Sequence, residues 1–289
     1  MNRAERRRQQ KRDKKASKDM KSIEPTSEQT KMIEDAVALH QSGQLDLAEI
    51  QYKKLLNYLP DNTLLLTNLG TIARQKGRLE DAVRIIGKSL QINSNQPNAL
   101  NNRGNALKDL KRLDEALASY DRAIALNPDY AEAYWNKSRL KILIGEYLEG
   151  WKLYEWRWKK EPQINSLRAY HQPLWLGDES IFHKTLLIYP EQGFGDYIQC
   201  IRYAALVEQL GAKVILEVPS ELMTLCSTLK GQPILIENGK PLPSFDYHCP
   251  VMSLPLALKT TVETIPAQIP YLYADDQRKK RWNEKLGNK

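Results

Sequence analysis

The chain has 289 residues, 42% of them hydrophobic and 27% charged, a balance that excludes a collagen-like or wholly disordered polypeptide. The net charge of +8 is concentrated at one end: residues 1–22 hold ten Lys/Arg against three acids, a local +7, and the nearly neutral remainder argues against a nucleic-acid-binding core. No run approaches the ~18 apolar residues needed to span a bilayer, and the charged N-terminus has no apolar segment of the secretory kind.

Residues 1–28 form a polar, basic tail with no apolar periodicity, expected to be disordered because it buries too little surface to offset its ordering entropy. Such an arm is either a solvated tail or a weak contact for RNA, acidic lipid or an acidic partner, and nucleic acid is expected nowhere else.

Residues 29–162 repeat with a period of 34, in four blocks starting at Gln29, Thr63, Pro97 and Ala131. The eighth residue of each block is small (Ala36, Gly70, Gly104, Ser138), and so is the twentieth (Ala48, Ala82, Ala116, Gly150). The fifteenth is Gly43, Gly77, Lys111 and Gly145; the twenty-fourth is Tyr52, Ile86, Tyr120 and Tyr154; the thirty-second is Pro60, Ser94, Pro128 and Pro162. This is the tetratricopeptide pattern, a helix, a tight turn and an antiparallel helix in each repeat. The spacing predicts that positions eight and twenty face each other where the helices cross. It predicts a left-handed glycine ending the first helix, and an aromatic at twenty-four filling the gap to the next repeat.

The first helices of such stacks line a groove. Their sixth position reads Glu34, Asn68, Asn102 and Asn136, with Asn105 close by. A carboxamide both donates and accepts, so an asparagine ladder suits a polypeptide partner held by its backbone. The alternative is that these are ordinary exposed polar residues. The fourth repeat departs from the rest, with Lys141 at position eleven and Arg157 at twenty-seven. Tyr147, Trp151, Tyr154 and Trp158 then make an aromatic stripe that a following domain should cover.

Residues 163–184 read as a connector, with Pro173-Leu174-Trp175 as its anchor. From 185 to 289 the pattern becomes α/β: strands at 185–190, 214–219, 234–237 and 245–250, and helices at 197–210, 220–230 and 275–287. The alternation predicts parallel β-structure and a Rossmann-like unit. The loop Glu191-Gln192-Gly193-Phe194-Gly195-Asp196 follows the first strand, where open α/β sheets bind ligands. Gly193 and Gly195 admit a close approach. Ile198 replaces the third glycine of a dinucleotide fingerprint and Asp196 sets a negative charge there, so no nucleotide cofactor is expected, even with Glu217 at ribose distance. Asp196 is either a helix N-cap or a proton acceptor for an attacking hydroxyl. Glu191 is a second carboxylate on that loop. His183 and His248 have no partners at metal-ligand spacing, so no metal is expected. Cys200, Cys226 and Cys249 lie in no CxxC pattern, which favours a reducing cytoplasm over a disulfide framework.

The segments GEYLEGWKLYEWRW, PLWLGD, KTLLIYPEQGFGDYIQCIRYA, FDYHCPVMSLPLAL and IPYL, in this order, resemble a bacterial family joining tetratricopeptide repeats to a glycosyltransferase. The likeness covers about residues 29–289 and is similar to heptosyltransferases and, more distantly, to O-linked N-acetylglucosamine transferase, which carries a similar asparagine ladder. It implies an α-helical solenoid followed by the N-terminal, acceptor-side domain of a two-Rossmann enzyme. The Gly195-Asp196 pair would then supply the base. The sequence stops after that first domain, so a nucleotide-sugar is expected to bind only with a second domain or chain. The expected function is a polypeptide-binding repeat protein within a glycosyl-transfer system; the alternative is a non-catalytic adaptor with a remnant α/β domain.

Overall fold

The computed structural model describes residues 25–160, 168–191, 193–231 and 233–287. The basic tail as far as residue 24, Pro162, the start of the connector and Gln192 lie outside the described residues. The chain divides into two compact units, one ending at Asn136 and one starting at Lys137.

The first unit is helical: α1 (Ser27–Gln41), α2 (Leu45–Tyr58), α3 (Thr63–Gln75), α4 (Leu79–Ile92), α5 (Pro97–Asp109), α6 (Leu113–Leu126) and the start of α7 (Ala131–Leu143). Local chemistry sets the starts. Thr26 and Gln29 form a reciprocal capping box on α1, Asn62 accepts the Leu65 N–H at 3.0 Å, and Pro97 occupies the first turn of α5. Gly43, Gly77 and Gly145 have φ of 78°, 76° and 87°, and Lys111 takes the same left-handed position at 64°.

The small residues at positions eight and twenty are buried, but the reason differs from the expectation. A Cβ on Gly70 would stand 2.4 Å from Ile86 Cγ1, and one on Gly104 would stand 2.5 Å from Tyr120 Cε1. In these two repeats position eight is therefore small chiefly because the bulky residue at position twenty-four fills its place, with the Ala82 carbonyl at position twenty also 3.3 Å from a Cβ on Gly70. The aromatic also serves its own repeat rather than only the gap to the next: the Tyr120 hydroxyl donates to Asn105 Oδ1 at 2.8 Å. Tyr52, Leu55, Leu65 and Ile72 are fully buried and anchor the N-terminal core of this unit.

The second unit begins within α7 and continues with α8 (Tyr147–Tyr154), which ends in a 3₁₀ turn over Glu155–Lys159. The aromatic stripe is therefore shorter than its spacing suggested. Tyr147, Trp151 and Tyr154 pack ring on ring along α8, with centroids 6.2 and 5.8 Å apart, whereas the 3₁₀ turn carries Trp158 away from helical register. α8 packs against α12 (Leu254–Ala257).

The sheet contains β1 (Thr185–Tyr189), β2 (Lys213–Val218), β3 (Ile234–Glu237) and β4 (Tyr247–Pro250), all parallel, in the order β3-β2-β1-β4. Between β1 and β2 the expected single helix is broken into α9 (Phe194–Cys200), a 3₁₀ turn and α10 (Ala204–Gln209). A short α11 (Met223–Cys226) follows β2, and α13 (Asp276–Leu286) is exposed throughout. Near-continuous apolar runs suit strands buried on both faces. One face meets Val207, Leu222 and Leu254; the other carries Leu187, Tyr189 and Ile215. The connector docks as expected, with Leu174 bridging to His248 and the buried Trp175 donating its backbone N–H to the His248 carbonyl at 2.9 Å.

Candidate functional site

The first unit places its asparagines in hydrogen bonds that run between helices. Asn68 Nδ2 donates to the Tyr52 hydroxyl at 3.3 Å, Asn102 Nδ2 to Thr71 Oγ1 at 3.2 Å, and Asn136 Nδ2 to Asn101 Oδ1 at 3.0 Å. Each donates to a residue earlier in the chain, and each stays partly accessible. These bonds fix the plane of each amide while a second N–H and the carbonyl oxygen keep capacity for another partner. Asn105 is held by Tyr120, so its oxygen is already engaged. The same surface is tied at the helix ends: Arg74 Nε meets Asp109 Oδ2 at 2.7 Å, and His40 Nε2 meets Gln75 Oε1 at 3.0 Å.

In the second unit, the chemistry gathers at the carboxyl ends of the strands. Gly193 is the N-cap of α9, and Asp196 lies in the first turn of that helix, partly buried. Asp196 is therefore not the N-cap that its place in the sequence suggested. Neither Gly193 nor Gly195 adopts a left-handed backbone, and a Cβ on either would meet nothing within 4 Å. Packing does not require glycine at these two positions.

Glu191 has a different fate from a free loop carboxylate. Its side chain is 2% exposed and takes Arg157 Nε on Oε2 at 2.7 Å and Arg157 Nη2 on Oε1 at 3.0 Å. Oε1 also accepts the Met252 N–H at 2.9 Å. Burial pushes the Glu191 carboxyl upward, against the pull of the Arg157 charge. Arg157, 0% exposed, also donates to Glu155 Oε1 at 2.6 Å and to Ser253 Oγ at 2.7 Å, and lies over the rings of Tyr154 and Trp158. Desolvation opposes the guanidinium charge, but Glu191 and then Glu155 together outweigh it and hold the group above its ordinary range. The charge at position twenty-seven of the fourth repeat thus joins the end of α8 to the loops that follow β1 and β4.

Glu217, the residue at ribose distance, is also committed. It is buried, pairs with Arg168 and accepts the Gly239 N–H at 3.4 Å. Arg168 in turn donates to the Tyr170 hydroxyl at 3.0 Å. A cleft of about 500 Å³ lies beside this pair, lined by Arg168, Glu191, Phe194, Ser220, Glu221 and Asn238 at the ends of β1, β2 and β3. Asp196 is not among its lining residues. Sequence reasoning missed Arg168, Ser220 and Asn238, because no local motif joins residues 168, 220 and 238. Among the described residues, no group of His, Cys, Asp and Glu is arranged to hold a metal ion. Nor is any described helix long and apolar enough to cross a membrane.

Residues 65–96 and 97–130 match the tetratricopeptide repeat family, which makes these two segments of the first unit tetratricopeptide repeats. Protein FlbA of Caulobacter vibrioides is 24% identical over 261 residues, covering 81% of this chain and 43% of that protein. That span exceeds the helical part, so the likeness reaches the sheet-bearing part as well. Protein O-mannosyl-transferase TMTC1 of Mus musculus is 31% identical over 91 residues, covering 30% of this chain and 10% of that protein. Among solved structures, MamA is 27% identical with a TM-score of 0.40, over 47% of this chain and 74% of that chain. The chain spans less than half the length of these two sequence relatives, FlbA and TMTC1.

Proposed function

We propose that the chain is a tetratricopeptide scaffold that holds a polypeptide partner along its first helices. The observation that carries this reading is the set of three amides, Asn68, Asn102 and Asn136, each oriented by a hydrogen bond to an earlier residue. An oriented carboxamide meets a peptide backbone without first losing its own rotational freedom. Binding to an array of random-sequence peptides tests the reading. Asn68, Asn102 and Asn136 changed together to alanine should weaken the strongest peptides by about tenfold or more, at roughly 0.5–1.5 kcal/mol per hydrogen bond. An unchanged affinity sinks it.

A second reading is favoured by the carboxyl end of the sheet. There the α/β unit is Rossmann-like and acts as the acceptor side of a glycosyl-transfer system, with Asp196 as the base that receives the hydroxyl proton. Gly193 and Gly195, free of any packing demand, support it by leaving room for a substrate to approach. The name of TMTC1 speaks of sugar transfer, but that activity belongs to a protein of which this chain matches a tenth. The donor nucleotide-sugar would be held by a second domain or chain, and the three free, buried cysteines suit a reducing compartment such as the cytoplasm. The test is transfer of labelled sugar to a bound polypeptide with the donor-holding domain or chain supplied. An Asp196→Asn variant as active as its parent would remove Asp196 as the base.

A further inference from the structure

In an open parallel sheet the ligand crevice lies where strand order reverses, between neighbouring strands whose chains leave in opposite directions. In the order β3-β2-β1-β4 that point is between β1 and β4. Here it is closed by the protein itself. Glu191 after β1 accepts the backbone N–H of Met252 after β4, and Arg157 bonds both Glu191 and Ser253. A fully buried guanidinium stands in the usual ligand place. The open space lies instead over the ends of β1, β2 and β3, in the cleft lined by Arg168, Phe194, Ser220, Glu221 and Asn238.

The charges there have a clear sense. The Arg168 cation is paired with the buried carboxylate of Glu217. The Arg157 cation is shared between Glu191 and Glu155. Glu221 is exposed, accepts a hydrogen bond from the neighbouring Ser220 hydroxyl, and makes no ion pair among the described residues. Among the described residues lining the cleft, a phosphate or diphosphate would therefore meet no uncompensated cation and at least one carboxylate without a cationic partner. The remaining lining is a carboxylate, a carboxamide, a hydroxyl and two prolines, Pro190 and Pro219, beside the Phe194 ring, which is 48% exposed. Ser220 Oγ donates to Glu221 Oε2 at 3.0 Å and Arg168 Nη2 to Asn238 Oδ1 at 3.4 Å, which leaves lone pairs on these groups that ligand hydroxyls would donate to, while a ring of C–H groups would rest on the Phe194 face.

We infer that this cleft binds an uncharged, hydroxyl-rich ligand, a neutral saccharide, and discriminates against phosphorylated ones. The inference deepens the glycosyl-transfer reading and rests on it for its biological sense, although the binding stands or falls separately. The experiment is a titration of the full chain, followed by the amide signals of Gly193, Gly195 and Gly239. The probes are the methyl glycosides of glucose, mannose and N-acetylglucosamine, with inorganic phosphate, uridine diphosphate and a trilysine peptide as comparisons. At least one glycoside should give saturable shifts. Phe194→Ala should weaken it by about threefold to tenfold, the worth of a ring contact. Glu221→Gln should weaken it too, and it preserves shape should the first variant not fold. Silence from all three glycosides overturns the inference. So do equal or larger shifts with phosphate, the nucleotide or the peptide, each of which assigns the cleft to a charged ligand. Glycoside shifts that persist in Asp196→Asn, with no sugar transferred by either form even when the donor-holding domain or chain is supplied, would sink the transfer reading and leave the saccharide cleft standing.

Discussion

Arg157 grips Glu191 through two nitrogens, Nε to Oε2 at 2.7 Å and Nη2 to Oε1 at 3.0 Å, with neither side chain open to water. One residue belongs to the fourth helical repeat and the other to the loop after β1. Taking two charges out of water costs several kcal/mol per ion, so the pair holds only while both partners are present. Removing one leaves a buried, uncompensated charge. Arg157→Met should therefore destabilise the second unit by about 3–5 kcal/mol. The double variant Arg157→Met/Glu191→Leu should recover a large part of that loss. Urea unfolding of the single and double variants checks both statements, and a single variant as stable as the parent would show the pair to be idle.

Two glycines in neighbouring repeats should respond to alanine in opposite directions. A Cβ on Gly104 would stand 2.5 Å from the Tyr120 ring, which is itself fully buried and held by Asn105. The ring cannot swing aside, so Gly104→Ala should cost about 1–3 kcal/mol through overpacking. Gly87 lies within α4 with nothing within 4 Å of its would-be Cβ. There Gly87→Ala gains helix propensity and should stabilise by about 0.5–1 kcal/mol. Thermal midpoints of the two variants moving in the same direction would contradict this account of position eight.

The repeats were legible because a 34-residue period fixes where helices start: α2, α4, α6 and α8 begin at Leu45, Leu79, Leu113 and Tyr147, one period apart. The strands were legible because parallel strands buried on both faces read as apolar runs. What periodicity does not carry is which side chain crosses to which. It put position twenty opposite position eight, where the larger obstacle is position twenty-four. It likewise carried Trp158 along a helix that had already tightened into a 3₁₀ turn. At the site, Arg157 and Glu191 each drew notice alone, one as a misplaced charge and one as a loop carboxylate. Their pairing spans 34 residues and depends on the fold, as does the meeting of Arg168, Ser220 and Asn238. An arginine where a repeat calls for a small or apolar residue was the available signal that a buried acid had to lie nearby.

Lys111 holds the left-handed turn position that glycine fills in the other three repeats, at φ 64°. A side chain there brings Cβ against the following carbonyl, at roughly 1–2 kcal/mol. Part of that strain is offset when the comparison is with glycine, whose unfolded chain is freer. Lys111→Gly should thus raise stability by about 0.5–1 kcal/mol, and Gly77→Ala should lower it by a similar amount. Urea midpoints at unchanged slope are the measurement. A neutral Lys111→Gly would mean that the lysine makes a compensating contact.

Glu49 on α2 supplies a pH test confined to the first unit. Its carboxylate is nearly buried and takes Lys53 at 2.7 Å, Lys76 at 2.8 Å and Arg78 at 2.7 Å. Lys53 first, then Lys76 and Arg78, hold its pKa down to about 2 from an ordinary 4.5, against the opposing effect of burial. Because the folded value lies below the unfolded one, the contribution is complete above about pH 4.5 and disappears as the pH falls through about 2. Lys53 and Arg78 are substantially exposed, so screening limits the contribution to roughly 1–2 kcal/mol rather than the full shift. Glu49→Gln should therefore destabilise the parent at neutral pH by about that much, and the gap should close between pH 4.5 and 2. Salt should narrow it as well, since the partners of this carboxylate reach it from the surface. Chemical denaturation at a series of pH values reads the difference directly, and a gap constant down to pH 2 would mean that Glu49 acts through packing instead of charge.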